Sequence, residues 1–282
     1  MKISLIIAVY KDVESLELII ESLRNQTYKN FEVIIAEDGN SEEMKKFISS
    51  LKGLEIIHTT QEDIGVRKSH SQNNAIKSAN GEYLIFIDGD CILYSNFIEN
   101  HLKLSSPKCI ISGRRVNLGL KYSTMLRKKE ISSLWLEKNF VKKYFDIAKD
   151  AKIEKHTEEG IQIKPFSFLH KILHRKYKNK ELSILGCNFS CYKQAMLDIN
   201  GFDEELGNSA YAGDTDLEWR FRALGYKIIS AKYIANQFHL FHKRKKETFA
   251  RGMLKKIEEN KKNNIYFCRN GLNYLSILIF VF

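Results

Sequence analysis

In the first ninety residues, apolar runs of strand length alternate with segments of helical period, and no other feature of the chain narrows its folds so far. Ile3–Val9 is an almost unbroken apolar run rich in β-branched residues, after which Val13, Leu16, Ile19, Ile20 and Leu23 recur at helical spacing. Glu32–Ala36 (EVIIA) is strand-like again, and Asn40 with Glu43 three residues on reads as a capping box opening a helix to about Leu51. Leu54–Thr59 makes a third strand, Arg67–Ala79 a third helix and Tyr83–Ile87 a fourth strand. Strands that are apolar on both faces and separated by helices specify an α/β fold, Rossmann-like, with a mostly parallel sheet covered on each side. At 282 residues, 44% hydrophobic and with 2 prolines, the chain suffices for one large domain or one domain with an appendage.

The fourth strand runs straight into Asp88-Gly89-Asp90. Asp-Gly between apolar runs is a strong hairpin signal, because glycine accepts the positive φ of tight turns. The competing reading is a clamp of two carboxylates that holds a hard divalent cation against a phosphate-bearing ligand. Strands of an open α/β sheet end at the edge where ligands bind, which favours the clamp. The usual nucleotide motifs are missing: no GxGxxG follows the first strand, where the sequence is Ala8-Val9-Tyr10-Lys11-Asp12, and no GxxxxGK[ST] occurs anywhere. A bound nucleotide must therefore be held in another way, and a divalent cation on Asp88 and Asp90 neutralising a diphosphate would do so.

The 45 Lys+Arg against 34 Asp+Glu leave a net charge of +11, unevenly placed. Lys243–Lys262 holds nine Lys/Arg and three Glu, and the apolar tail YLSILIFVF follows from Tyr274 to Phe282. Nine residues fall well short of the roughly 20 a spanning helix needs. This region reads either as a solvated helix with a ragged end or as a basic, partly apolar surface resting on anionic lipid. The first apolar stretch runs into Lys11-Asp12 without a small-residue cleavage site, so it reads as a core strand rather than a signal peptide, and a cytoplasmic location is expected. Five cysteines without a CxxC pair argue against a disulfide scaffold or a zinc module.

VYKDVESLELIIESLRNQTYKNFEVIIAEDGN and then GVRKSHSQNNAIKSANGEYLIFIDGD resemble the nucleotide-sugar half of the family 2 glycosyltransferases, which have a GT-A fold. The likeness runs from Ile3 to about Asp90 and resumes at Gly186–Arg244 with a C-terminal galactosyltransferase-like segment. It implies a donor half at 1–115, an acceptor and catalytic half of the same domain at 116–245, and a basic tail at 246–282. It implies further that Ala8 and Tyr10 line the nucleobase pocket, with Tyr10 stacking on uracil, and that Asp38 hydrogen-bonds base or ribose. Arg67 would point at the diphosphate from a helix N-terminus, an anion-friendly place, on the helix that also carries Asn73 and Asn74, of which Asn74 joins the donor site. Asp88-Gly89-Asp90 matches the DxD signature, with Asp88 toward ribose and metal and Asp90 on the metal, Mn2+ (or Mg2+).

In the second half, NGFDEELGNSAYAGDTDLEWRFRALGYKI resembles the segment where these enzymes carry an acidic pair opening a helix. Direct displacement needs one carboxylate to take the acceptor hydroxyl's proton, and Asp214 matches it. Where many relatives have Glu-Asp this chain has Gly213-Asp214, so Gly213 and Asp216 are the residues expected on the acceptor side. Alternatively, Asp214 and Asp216 simply cap a helix. In FHLFHKR, His239 and His242 lie three apart, and one of them, His242 by preference, matches a histidine that joins the metal. The Lys- and aromatic-rich stretch from Lys121 to Leu185 suits nucleic acid by composition, yet equally a glycan or glycolipid acceptor at an anionic membrane surface, which is the expectation taken. The implied activity is a metal-dependent, inverting transfer from a UDP-sugar to a surface glycan of bacterial type, lipopolysaccharide, lipooligosaccharide or capsule, with no nucleic acid as partner. A basic nucleic-acid-binding protein and a nucleotidyltransferase-like enzyme are the alternatives.

Overall fold

A computed structural model describes residues 1–152, 154–177, 182–206, 210–243 and 251–273. Its first part alternates as the apolar pattern requires: β1 (Ile3–Val9), α1 (Val13–Arg24), β2 (Phe31–Glu37), α2 (Glu42–Ser50), β3 (Ile56–Thr59), α3 (Lys68–Ser78) and β4 (Tyr83–Asp88). Asp12 caps α1, accepting the Ser15 N–H at 2.9 Å and the Ser15 hydroxyl at 2.6 Å. In α2 the expected capping box is replaced by a simple N-cap one residue further on. Ser41, not Asn40, is the cap and accepts the Met44 N–H, because Ser41's own N–H is drawn back onto the Glu37 carboxylate at 2.8 Å.

The chain continues through β5 (Cys91–Leu93), α4 (Phe97–Leu104), β6 (Cys109–Ser112), β7 (Val116–Asn117), α5 (Leu120–Arg127), α6 (Ser133–Asp150), α7 (Phe168–Tyr177), β8 (Asn188–Tyr192), α8 (Lys193–Asp198), α9 (Ala210–Ala223), β9 (Lys227–Ser230), β10 (Gln237–His239) and α10 (Arg251–Lys262). Seven strands form one sheet in the order β3-β2-β1-β4-β8-β6-β9, parallel through its first four strands, with β8 antiparallel to both neighbours. Side chains alternate across a strand, so β1 feeds both faces. Ile3, Leu5 and Ile7 pack with Leu16, Ile19 and Leu23 of α1, whereas Ile6 joins Ala75 and Ile76 of α3, Met196 of α8 and Phe221 of α9. Each such burial contributes about 1.5–3 kcal/mol, and the layers on both sides fix which strand ends stay open. The tail at Tyr274–Phe282 and the stretch 244–250 lie outside the described residues. Among the described residues no helix is long and apolar enough to cross a membrane.

A second sheet of three short strands, ordered β5-β10-β7, stands beside the first. Asp88 is the last residue of β4 in the large sheet, and Cys91 opens β5 in the small one. Asp88-Gly89-Asp90 is thus the corner where the chain changes sheets, not a hairpin tip. Gly89 is required there by close approach: a Cβ would lie 2.9 Å from the Ala8 carbonyl oxygen and 3.1 Å from Val9 Cγ1.

Candidate active site

The parallel registers set the site. Ala8 pairs with Ala36 on one side and Asp88 on the other, so β1, β2 and β4 end together and deliver Ala8, Asp38 and Asp88 to one edge. Asp38 leaves β2 tied to β1 through its N–H on the Val9 carbonyl at 2.9 Å. Its carboxylate is buried and engaged: one oxygen accepts the Arg67 N–H at 2.7 Å, the other the Gln61 side-chain amide at 2.6 Å. Asp38 therefore anchors the start of α3. Tyr10 stands half exposed (50%) just past β1, with Lys11 bent into the left-handed region (φ +54°) and bonded to Asp63 at 2.6 Å. Asn74 contacts His70 at 3.3 Å, whereas its neighbour Asn73 is buried and grips Phe202 through both backbone groups at 2.9 Å.

The cation at the mouth of α3 is a different residue from the one expected. The Arg67 guanidinium turns back to donate to the Glu62 carbonyl, and Lys68, first residue of the helix, reaches Asp88 instead. Burial works against the Lys68 charge, but Asp88, with Asp214 beyond it, outweighs burial and holds the ammonium above the ordinary lysine range. A second cation that the sequence reading missed is Arg115, just before β7. Its guanidinium donates to Cys187 Sγ at 3.6 Å, and the nearby carboxylates of Asp90 and Asp88 favour its charge against burial. Adjacency to Arg67 in GVRKS was the only signal for Lys68. Arg115 had none.

Asp90 faces the small sheet. Pairing of His239 with Cys91, and the Leu240 N–H on the Asp90 carbonyl at 3.0 Å, carry both late histidines to its carboxylate. One Asp90 oxygen lies 3.2 Å from His239 Nε2 and 3.4 Å from His242 Nε2. Burial disfavours the Asp90 charge, but the two imidazoles overcome it and hold the carboxyl well below its usual range; Asp90 in turn raises His242. The ligand atoms of Asp90, His239 and His242 all lie within 4.8 Å of one another, a carboxylate and two imidazoles of the kind manganese accepts. The histidines meet from a strand end and the irregular segment after it, not from a helix. Asp88 is not in this group, being paired with Lys68. His156, Glu158 and Glu159 also converge, but Lys232 sits 3.0 Å from Glu159.

Asp214 lies within α9, one turn past its start rather than at its opening, because the helix already begins at Ala210. One carboxylate oxygen accepts the Gly186 N–H at 2.9 Å, and a Cβ at Gly186 would collide with that carboxylate. Burial pushes the Asp214 carboxyl up to about 6; the Gly186 bond and Lys68 pull it down, and Asp88 pushes it up. The shared field of Lys68, Arg115, Asp88 and Asp214 joins the two carboxylates in one electrostatic cluster. Gly213 opens onto empty space, with nothing within 4 Å of an added Cβ. Asp216, expected on the acceptor side, is instead buried, with Arg220 at 2.6 Å and the Trp219 indole N–H at 3.0 Å. That bonding secures α9 and leaves little of the carboxylate for a ligand.

Residues 4–184, well over half of the chain, match the family described as Glycosyl transferase family 2. An uncharacterized glycosyltransferase of Rickettsia typhi is 26% identical over 219 residues, 78% of this chain and 58% of that protein. The UDP-Glc:alpha-D-GlcNAc-diphosphoundecaprenol beta-1,3-glucosyltransferase WfaP of Escherichia coli is 31% identical over 100 residues, 36% of this chain and 39% of that one. The chain spans between 15% and 58% of the length of the curated relatives it matches first. Among solved structures, the mannosyltransferase PcManGT from Pyrobaculum calidifontis in complex with GDP-Man and Mn2+ superposes with a TM-score of 0.55 at 15% identity, covering 86% of this chain and 57% of that one. S. aureus TarS 1-349 in complex with UDP gives a TM-score of 0.51 at 16% identity, covering 84% and 60%. The mostly parallel sheet flanked by helices is thus a GT-A fold, and the chain belongs to glycosyl transferase family 2.

Proposed function

We propose that the protein moves a sugar from a UDP-sugar to a hydroxyl of a surface glycan or glycolipid, inverting the anomeric centre. The observation that carries the reading is the meeting, at one sheet edge, of a carboxylate raised to about 6 (Asp214) with the Asp90–His239–His242 group and the Lys68–Asp88 pair. Residues 1–115 serve the donor and 116–245 the acceptor. Tyr10, half exposed beyond β1, offers its ring to the base beside Ala8. UDP in the names of two of the proteins above supports uridine, as does Mn2+ in the third for the metal.

Asp90, His239 and His242 would hold the divalent cation, which when bound supplies positive charge against the leaving diphosphate. Lys68 and Arg115 add fixed cations on the same side, in a site where charge is weakly screened. Asp214 keeps one oxygen on the Gly186 N–H, and in this reading its carboxylate takes the acceptor proton. As the hydroxyl oxygen bonds to the anomeric carbon, the bond from that carbon to the phosphate oxygen breaks on the opposite face, its electron pair leaves with UDP, and the proton ends on Asp214. Open space at Gly213 gives the acceptor sugar room. Five unpaired thiols fit a reducing, cytoplasmic setting.

The test is UDP release from a panel of UDP-sugars with and without Mn2+. The expected result is release from one of them that needs the metal and falls at least a hundredfold in Asp90→Asn, His239→Ala or His242→Ala. Full activity of Asp90→Asn would overturn the metal assignment, and pyrophosphate in place of UDP would overturn the reaction class.

A further inference from the structure

We infer that α6, aided by α7, is a docking surface for an anionic phospholipid bilayer. The outward face of α6 carries Trp135, Lys138, Val141, Lys142, Phe145 and Lys149, which at 3.6 residues per turn share an arc of roughly 120°. Leu136, Phe140 and Ile147 occupy the opposite side and are buried. A water-facing stripe is ordinarily polar throughout; here Phe145 is 86% exposed and Val141 76%.

The charges of α6 are sorted by side. Its acids serve the fold: Glu137 accepts the Ser95 N–H and hydroxyl at 2.8 Å, Asp146 takes Lys121 and the Tyr122 hydroxyl at 2.7 Å, and Asp150 accepts the Lys121 and Tyr122 N–H groups. Among the described residues, Lys138, Lys142 and Lys149 have no carboxylate partner. The exposed stripe therefore carries apolar groups and lysines, with Asp146, its side chain 44% exposed and paired with Lys121, at its border. In α7 and the turn before it, Phe166, Phe168 (80% exposed), Leu169 and Ile172 are exposed with Lys164 and Lys171, while Leu173 turns to the core.

Complementary charge selects the occupant. A convex helix face fits a plane rather than a peptide, and lysines at its flanks match the negative surface potential of anionic lipid while Trp and Phe enter the headgroup boundary. Single-stranded nucleic acid would also use cations and aromatics, but Val141, Leu169 and Ile172 have no ring to stack on bases. This inference is independent of the proposed glycosyl transfer, since binding is read without donor or acceptor.

The experiment is co-sedimentation of the full chain with vesicles of phosphatidylcholine alone and with about a third phosphatidylglycerol. We expect at least tenfold tighter binding to the anionic vesicles, weakened by raising salt from 50 to 300 mM. Lys138→Glu/Lys142→Glu/Lys149→Glu and Val141→Glu/Phe145→Glu should each lose at least tenfold while their circular-dichroism melts match the parent, which shows that they fold. Phe168→Glu/Ile172→Glu, a second pair away from α6, should lose a smaller factor. Equal binding to both vesicles, or unchanged binding of the folded α6 variants, overturns the proposal by moving attachment elsewhere, for example to α10 and the tail. A dimer that Phe145→Glu dissolves, or tight oligonucleotide binding without vesicle binding, overturns it in favour of a second copy or a nucleic acid.

Discussion

At the scale of single residues, Asp214 is the group whose surroundings decide most. Its raised pKa, about 6 against an ordinary 3.8, follows mainly from burial, so the folded chain prefers it protonated. The sign of the consequence is fixed. A carboxyl raised by folding contributes stability below its unfolded pKa, near 4, which is lost as pH rises through about 6. Asp214→Asn should therefore leave stability unchanged near pH 4 and raise it at pH 7.5 by about 1 kcal/mol after allowing for its partial exposure, roughly 2 °C in melting temperature. Differential scanning fluorimetry of the two proteins across that range checks this; Asp203, also raised to about 6 by burial and Asp216, is common to both and cancels. The same substitution should lower turnover by about 10²–10⁴ with UDP binding kept. In the parent, kcat/KM should climb through pH 6 to a plateau; a flat profile from 5 to 8 would remove Asp214 as base.

At the scale of elements, the site depends on backbones that come close. Gly186, in the loop before β8, both donates to Asp214 and leaves the room its carboxylate fills. Gly186→Ala should push that side chain aside, lowering kcat at least tenfold with little change in UDP affinity, which single-turnover assays and UDP titration separate. β1, β2 and β4 were legible because they lie inside the sheet and are mostly apolar on both faces, the edge strand β3 by its short apolar run, and α1 because its period is sustained. The small sheet was not legible: β5 and β10 have three residues each and β7 two, too few for a periodic signal. The start of α9 was misread since Asp214 and Asp216 look like helix-opening acids, whereas the helix extends back to Ala210 and burial of Arg220 draws Asp216 inward. In α3, Arg67 and Lys68 are both basic, and only the rotation of the helix decides which of them meets Asp88.

Across the whole molecule, the Asp90 group joins residues more than half the chain apart, for β10 brings residues 239 and 242 back to a corner formed near residue 90. Sequence spacing cannot carry such a contact; only the registry of β10 against β5 and β7 does. The closure has a thermodynamic signature. A cation bound there joins the folded state alone, so Mn2+ at a hundred times its dissociation constant should stabilise the protein by about 2.7 kcal/mol. Protons compete for the imidazoles, and Asp90 raises His242 above its ordinary 6.5, so competition extends to higher pH than for a free histidine. Without metal the sign is reversed: the His242–Asp90 pairing stabilises most at acid pH and is lost as pH rises through the raised pKa. The Mn2+-induced rise in melting temperature should thus be smaller at pH 5.5 than at pH 8. His242→Ala should shrink the rise at pH 8, and Asp90→Asn should abolish it. A rise of equal size at pH 5.5 and pH 8, or one that survives Asp90→Asn, would place the cation on other residues and separate the corner at Gly89 from metal binding.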